Sequence, residues 1–216
     1  MKKLFTLIVA LAMIVSTASA QIVRSGGVSV KTEKEPSESM WYARLGLNMM
    51  KAAGDDVDDV KTNMGYQIVW GFEKPMGVMF WGMEFGLGSR GYKTDGDYSN
   101  KLTVHNVVFS PFNLGYKHSL TDDFAVEAHV GAYVSGDYFG VMKNVPHYSG
   151  KKVETEDENI YDLDDYVFPD AGIQFGAGIW YNSIGVDFCF QKGMINWHKD
   201  IKMHTSNFLI RLGFKF

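Results

Sequence analysis

The chain has 216 residues, 46% of them hydrophobic and 14% aromatic, with a formal net charge of −4. That length fits one or at most two domains, and a lone cysteine, Cys189, excludes an intrachain disulfide framework or a cysteine-based zinc finger. A net negative balance argues against a nucleic-acid binder, and 23 glycines against 5 prolines exclude proline-rich disorder.

Lys2 and Lys3 precede an apolar run, Leu4 to Val15, and Ala18-Ser19-Ala20 supplies a small-x-small cleavage pattern. Together these predict a secretory signal peptide over 1–20, cut near Ala20; the run is short for a membrane-spanning helix. Residues 21–39 are polar and without period, and read as a flexible periplasmic leader.

From Met40 onward the period is two. Trp41, Ala43, Leu45, Leu47 and Met49 lie on one face, with Tyr42, Arg44, Gly46 and Asn48 on the other. Met64, Tyr66, Ile68, Trp70 and Phe72 oppose Gly65, Gln67, Val69 and Gly71. Met79, Trp81, Met83, Phe85 and Leu87 oppose Phe80, Gly82, Glu84, Gly86, Gly88 and Arg90. The fourth segment, Thr103–Lys117, sets Val108, Phe112, Leu114 and Tyr116 against Pro111, Asn113, Gly115 and Lys117. In the fifth, Val126, Ala128, Val130, Ala132 and Val134 oppose Glu127, His129, Tyr133 and Asp137. Asp170–Tyr181, Ile184–Gln191 and Asn207–Phe216 repeat the pattern, with Asp187, Cys189, Arg211 and Lys215 on their polar faces. Successive strand side chains point to opposite faces, so each segment has one apolar face and one polar or glycine-rich face.

Short connections are expected around Glu73-Lys74-Pro75, Leu120–Asp123 and Asn182-Ser183, and long polar ones over Met50–Asn63, Tyr92–Leu102, Phe139–Val167 and Lys192–Ser206. Even strand number with short turns at one end and long loops at the other is the arrangement of an outer-membrane barrel, loops outward. A soluble eight-stranded lipocalin-like barrel is the alternative, with its apolar face turned inward. Trp41, Trp70, Phe72, Trp81, Tyr116, Tyr181, Phe214 and Phe216 gather toward the short-turn end, as an interfacial girdle does, and this favours the membrane reading.

The glycine-dotted segment Asp170–Tyr181, the exit Lys192-Gly193-Met194-Ile195-Asn196, and the closing strand Phe208–Phe216 resemble the PorT-like outer-membrane β-barrel family. The likeness to the small OmpX/OmpA barrels is more distant. Ser89-Arg90-Gly91 and Ser110–Lys117 echo that family's third and fourth strands, although Asn113 and Gly115 interrupt a run that is more aliphatic there. The resemblance covers 40–216. It implies an outer-membrane barrel inserted by the cell's barrel-insertion machinery, which would recognise the terminal Phe216.

Arg44, Glu84, Arg90, Lys117, Glu127, His129, Asp187, Arg211 and Lys215 all fall on the polar face, and charges away from water need partners. They predict an interleaved lumenal ionic network filling a barrel whose interior is just wide enough for its own side chains. Glu127 and His129 also have the spacing of an acid–base pair, and His105, Asn106 and Ser110 that of a rim enzyme acting on lipid. No nucleophile signature accompanies either, and no cofactor or metal motif is present. The acidic stretches Asp55–Asp59, Asp95–Asp97 and Glu154–Asp165 match no calcium loop and read as solvated surface. The expectation is therefore an all-β, eight-stranded antiparallel up-and-down transmembrane barrel in the outer membrane. Its role would be non-enzymatic, with a plugged lumen and four long acidic loops. Loop 139–167, with Tyr138, Phe139, Tyr148, Tyr161 and Tyr166, is the expected surface for an extracellular partner or a lid over the mouth. A small-solute channel and a lipid-modifying enzyme are the remaining membrane alternatives.

Overall fold

The computed structural model describes residues 39–55, 57, 60–94, 98–148, 151–152, 157–197, 199–200 and 202–216. The chain divides into Met1–Pro36 and Ser37–Phe216; the first unit, which carries the expected signal peptide and most of the leader, lies outside the described residues.

The strands are β1 Met40–Ala53, β2 Val60–Met76, β3 Met79–Thr94, β4 Tyr98–Ser119, β5 Phe124–Tyr148, β6 Lys151–Lys152, β7 Glu158–Asn159, β8 Pro169–Tyr181, β9 Ile184–Gly193 and β10 His204–Lys215. All but the two-residue β6 and β7 form a closed eight-stranded antiparallel barrel, in which each strand pairs with its neighbours in sequence. A ladder from Tyr42 opposite Lys215 to Ala53 opposite His204 joins the first strand to the last. β6 and β7 pair with the far part of β5, and a 3-10 turn, Ile160–Asp162, follows β7.

Burial along the strands is inside-out. Arg44 and Asn48 are 2% and 4% exposed, while Leu45 and Leu47 between them are each 51% exposed. A soluble barrel requires the reverse, so the lipocalin-like alternative fails. An apolar exterior around a polar interior suits hydrocarbon outside, with every backbone group paired by closure.

Three sequence expectations are corrected. The β2–β3 turn is not at Glu73-Lys74-Pro75. The ladder continues to Met76 opposite Met79, and the chain reverses at Gly77, whose φ of +71° favours glycine. Pro75 is tolerated because β1 pairs with β2 only as far as Glu73, which leaves Pro75 on a one-sided stretch. Val108 does not share the outward face with Phe112. A register shift between Phe109 and Phe112, at Pro111, reverses the phase, so Val108 is buried and Phe109 is exposed. Two expected loops are largely ladder: Tyr92 pairs with Leu102 and Lys93 with Lys101, and β5 runs on through Phe139 to Tyr148 against β4.

Candidate functional site

The lumen is layered from the turn end to the loop end. Nearest the turns, Trp180, Tyr42 and Phe80 point inward and are buried. Glycines make room for them: an added Cβ at Gly185 or Gly213 would meet the Trp180 ring, and one at Gly71 would meet Tyr42. The Lys215 ammonium lies 3.6 Å from the Trp180 ring centroid, and Lys117 lies 4.7 Å from that of Phe80.

Above this sits a continuous ionic network. Arg44 donates to Glu84, and through Nη2 to Glu127 Oε1 at 2.7 Å. Tyr42 donates to the same Glu84 oxygen at 2.9 Å, and Lys117 bridges Glu73 and Glu127. Arg211 Nε donates to Asp187 Oδ2 at 2.7 Å, and its Nη1 reaches Gln67 at 3.1 Å and Glu84 at 3.3 Å. His129 Nε2 lies 2.9 Å from the other Asp187 oxygen. Desolvating an ion costs several kcal/mol, and only close opposite charge with additional hydrogen bonds offsets that cost; here the partners come from facing walls of the barrel.

An amide belt follows. Gln174 donates to Asn113 at 2.7 Å and Gln191 donates to Gln174 at 2.8 Å. Above it, Arg90 pairs with Asp170 at 2.6 Å and Asp137 at 3.0 Å, while Tyr133 and Thr205 donate to Asp170 and Tyr166 donates to Asp137. The loop-side mouth is then apolar: Met50, Ala52, Leu102, Val104, Ile160 and Trp197 form a buried cluster, with Tyr92, Met142, Leu163, Tyr166, Phe168 and Met203 packed against it.

The charged residues expected to network therefore all lie in the lumen. Arg44, Glu84, Lys117, Glu127, His129, Asp187 and Arg211 come together, Arg90 belongs to a separate cluster, and Lys215 stacks on Trp180. Cys189 is fully buried on the same face. Sequence reasoning missed Glu73, Asp170 and Trp197 as participants. Glu73 was assigned to a turn, and Trp197 to a loop in which no period marks an inward position. Glu127 and His129 do not form a pair, since each has its own partner. His105 contacts Tyr66 on the outer face while Ser110 is buried inside, so the rim constellation is not assembled.

Trp41, Trp70, Tyr116, Tyr181, Phe214 and Phe216 are exposed on the outer surface, and Trp81 is half-buried, 6.1 Å from Phe72. Tyr138, Phe139 and Tyr161 are exposed, whereas Tyr166 is half-buried with its hydroxyl on Asp137; the Tyr148 side chain is outside the described residues. Asp56, Asp58 and Asp59, 95–97 and 153–156 are also outside them. Among the described residues no group of three or more His, Cys, Asp or Glu is placed to hold a metal.

These features define a transmembrane β-barrel with an apolar exterior and a polar interior. No family model matches the chain, and no curated protein matches it. Among solved structures it is similar to Neisserial surface protein A, at 11% identity over 83% of this chain and 99% of that one, TM-score 0.43. It is also similar to the attachment invasion locus protein Ail of Yersinia pestis, at 11% identity with the same coverage and a TM-score of 0.44. The N-terminal barrel domain of Pseudomonas aeruginosa OprF aligns at 9% identity over 80% of this chain and 97% of that one, TM-score 0.30. The fold assignment rests on the strand pairings and the burial pattern themselves.

Proposed function

We propose that this protein is a non-enzymatic outer-membrane barrel of PorT-like kind, with a lumen plugged by its own side chains and its loop side presented at the cell surface. The observation that carries this reading is the network from Arg44 and Arg211 to Glu84, Glu127 and Asp187, which ties facing walls together across the lumen. Such cross-bracing makes a stiff scaffold and leaves little room for a diffusing solute. Recognition then falls to the loops, and the segment 139–167 is the surface for an extracellular partner.

The test combines fractionation with planar-bilayer recording. A heat-modifiable band in the outer-membrane fraction, a mature chain beginning at Gln21 and no steady conductance are expected. Stable single-channel currents would overturn the plug, and a soluble, unshifted protein would overturn the membrane assignment.

A further inference from the structure

Lysines line up across one outer wall of the barrel near its loop end. The ladders place Lys61 of β2 opposite Lys93 of β3, Lys93 opposite Lys101 of β4, and Lys101 opposite Lys143 of β5. Lys51 stands on β1, the next strand round the wall. All of them point outward. Their neighbours in sequence, Met50, Ala52, Val60, Tyr92, Leu102 and Met142, belong to the buried cluster under the mouth or pack against it, and successive strand side chains face opposite ways. Lys51, Lys61, Lys101 and Lys143 are exposed, and Lys93 is half-buried.

Like charges directly opposite on paired strands repel, so three such pairs in a row weaken the wall until an anion lies against it. Lys143 shares its charge with the exposed Asp157, at 3.0 Å. Among the described residues the far wall differs: Lys192 of β9 stands between Ile173 and Ser206, with no lysine opposite it.

The surface beneath the row says which anion. On the same strands Tyr66, His105, Tyr138 and Phe139 form an outward aromatic group, with His105 5.9 Å from Tyr66 and 5.8 Å from Phe139 between ring centroids. Toward the turns Leu87, Phe109 and Val134 are exposed. Apolar side chains, then aromatic rings, then lysines follow the order in which a bilayer presents hydrocarbon, interface and headgroups. A soluble polyanion has no use for the two lower steps; a lipid spans all three.

We propose that the lysine row is a docking surface for the phosphate groups of outer-leaflet lipid. The inference rests on the outer-membrane reading with the loops outward.

The experiment is native mass spectrometry of the whole barrel released from dodecyl maltoside micelles, scoring retention of lipid A against its dephosphorylated form. Lipid A should be retained and the dephosphorylated form should bind about tenfold more weakly or less. Lys93→Gln with Lys101→Gln should weaken lipid A retention about tenfold or more, whereas the charge-matched pair Lys192→Gln with Lys199→Gln should change it less than about threefold. Folding of each variant is read separately from its heat-modifiable band. Equal retention of the two lipids, equal losses in the two double variants, or tighter binding of sodium polyphosphate than of lipid A would overturn the proposal. Fractionation tests the membrane reading on its own, so a heat-modifiable outer-membrane barrel that gives any of these results overturns this inference alone.

Discussion

Along β1 the buried residues are first Arg44 and Asn48 and then, toward the loops, Met50 and Ala52; the exposed ones change in the opposite sense, from Leu45 and Leu47 to Lys51. β4 shows the same inversion, with Asn113 and Ser110 buried near the turns and Val104 and Leu102 buried near the loops beside exposed Lys101. One strand thus carries two cores of opposite polarity. Where hydrocarbon is the outer solvent, burying apolar side chains gains little, and the interior can be polar if every charge is matched. Where water is the outer solvent, the ordinary hydrophobic effect returns and the strands close over Trp197 and Ile160.

This contrast can be broken at either end. The largest effect is expected from Arg211→Ala, which leaves Asp187 with His129 alone and Glu84 with Arg44 and Tyr42 alone, and empties the space of a buried guanidinium: a loss of about 3–5 kcal/mol in urea unfolding of the micelle-embedded barrel. A change below about 1 kcal/mol would show that the network adds little. Leu102→Ala should cost about 2–4 kcal/mol, but locally: faster proteolysis within 160–168, with the heat-modified gel shift unchanged. Loss of that shift would mean that the two cores unfold as one. Gly213→Val forces the Trp180 ring aside and should lower barrel stability by about 1–3 kcal/mol, a penalty that Trp180→Ala in the same chain relieves. At the small end, Lys199→Ala removes an exposed pair with Asp165 and should leave both the unfolding midpoint and proteolysis within 160–168 unchanged.

The eight strands and nearly every inward position were legible because alternation between apolar and polar residues marks a strand with a different solvent on each side. The signal faded where that contrast did. Past Arg90 on β3 and before Thr103 on β4, both faces carry mixed residues such as Tyr92, Lys93 and Lys101, so a continuing ladder read as loop. At Pro111 a single extra residue changed the phase, and Val108 was assigned to the wrong face. Glu73 looked like a turn residue because Pro75 follows it, yet it is buried and takes both Lys117 and Arg44. The pairing of Arg90 with Asp137 and Asp170 depends on barrel stagger, a property of closure that no single strand encodes.

The ionic braces also set an order of events. Arg211 meets residues 127 and 144 positions away, Glu84 and Gln67, and Arg44 meets Glu127 83 positions away. These partners sit on facing walls and meet only as the sheet curls toward closure, whereas Arg211–Asp187 and Lys117–Glu127 lie opposite each other on adjacent strands and can pair in an open sheet. The braces of longest sequence separation are thus the last to be rewarded, because the loop between their ends must be closed first. A chain that stalls before its final strand would keep its apolar face but leave Arg44 and Glu84 on a wall open to water, without Arg211 to brace them.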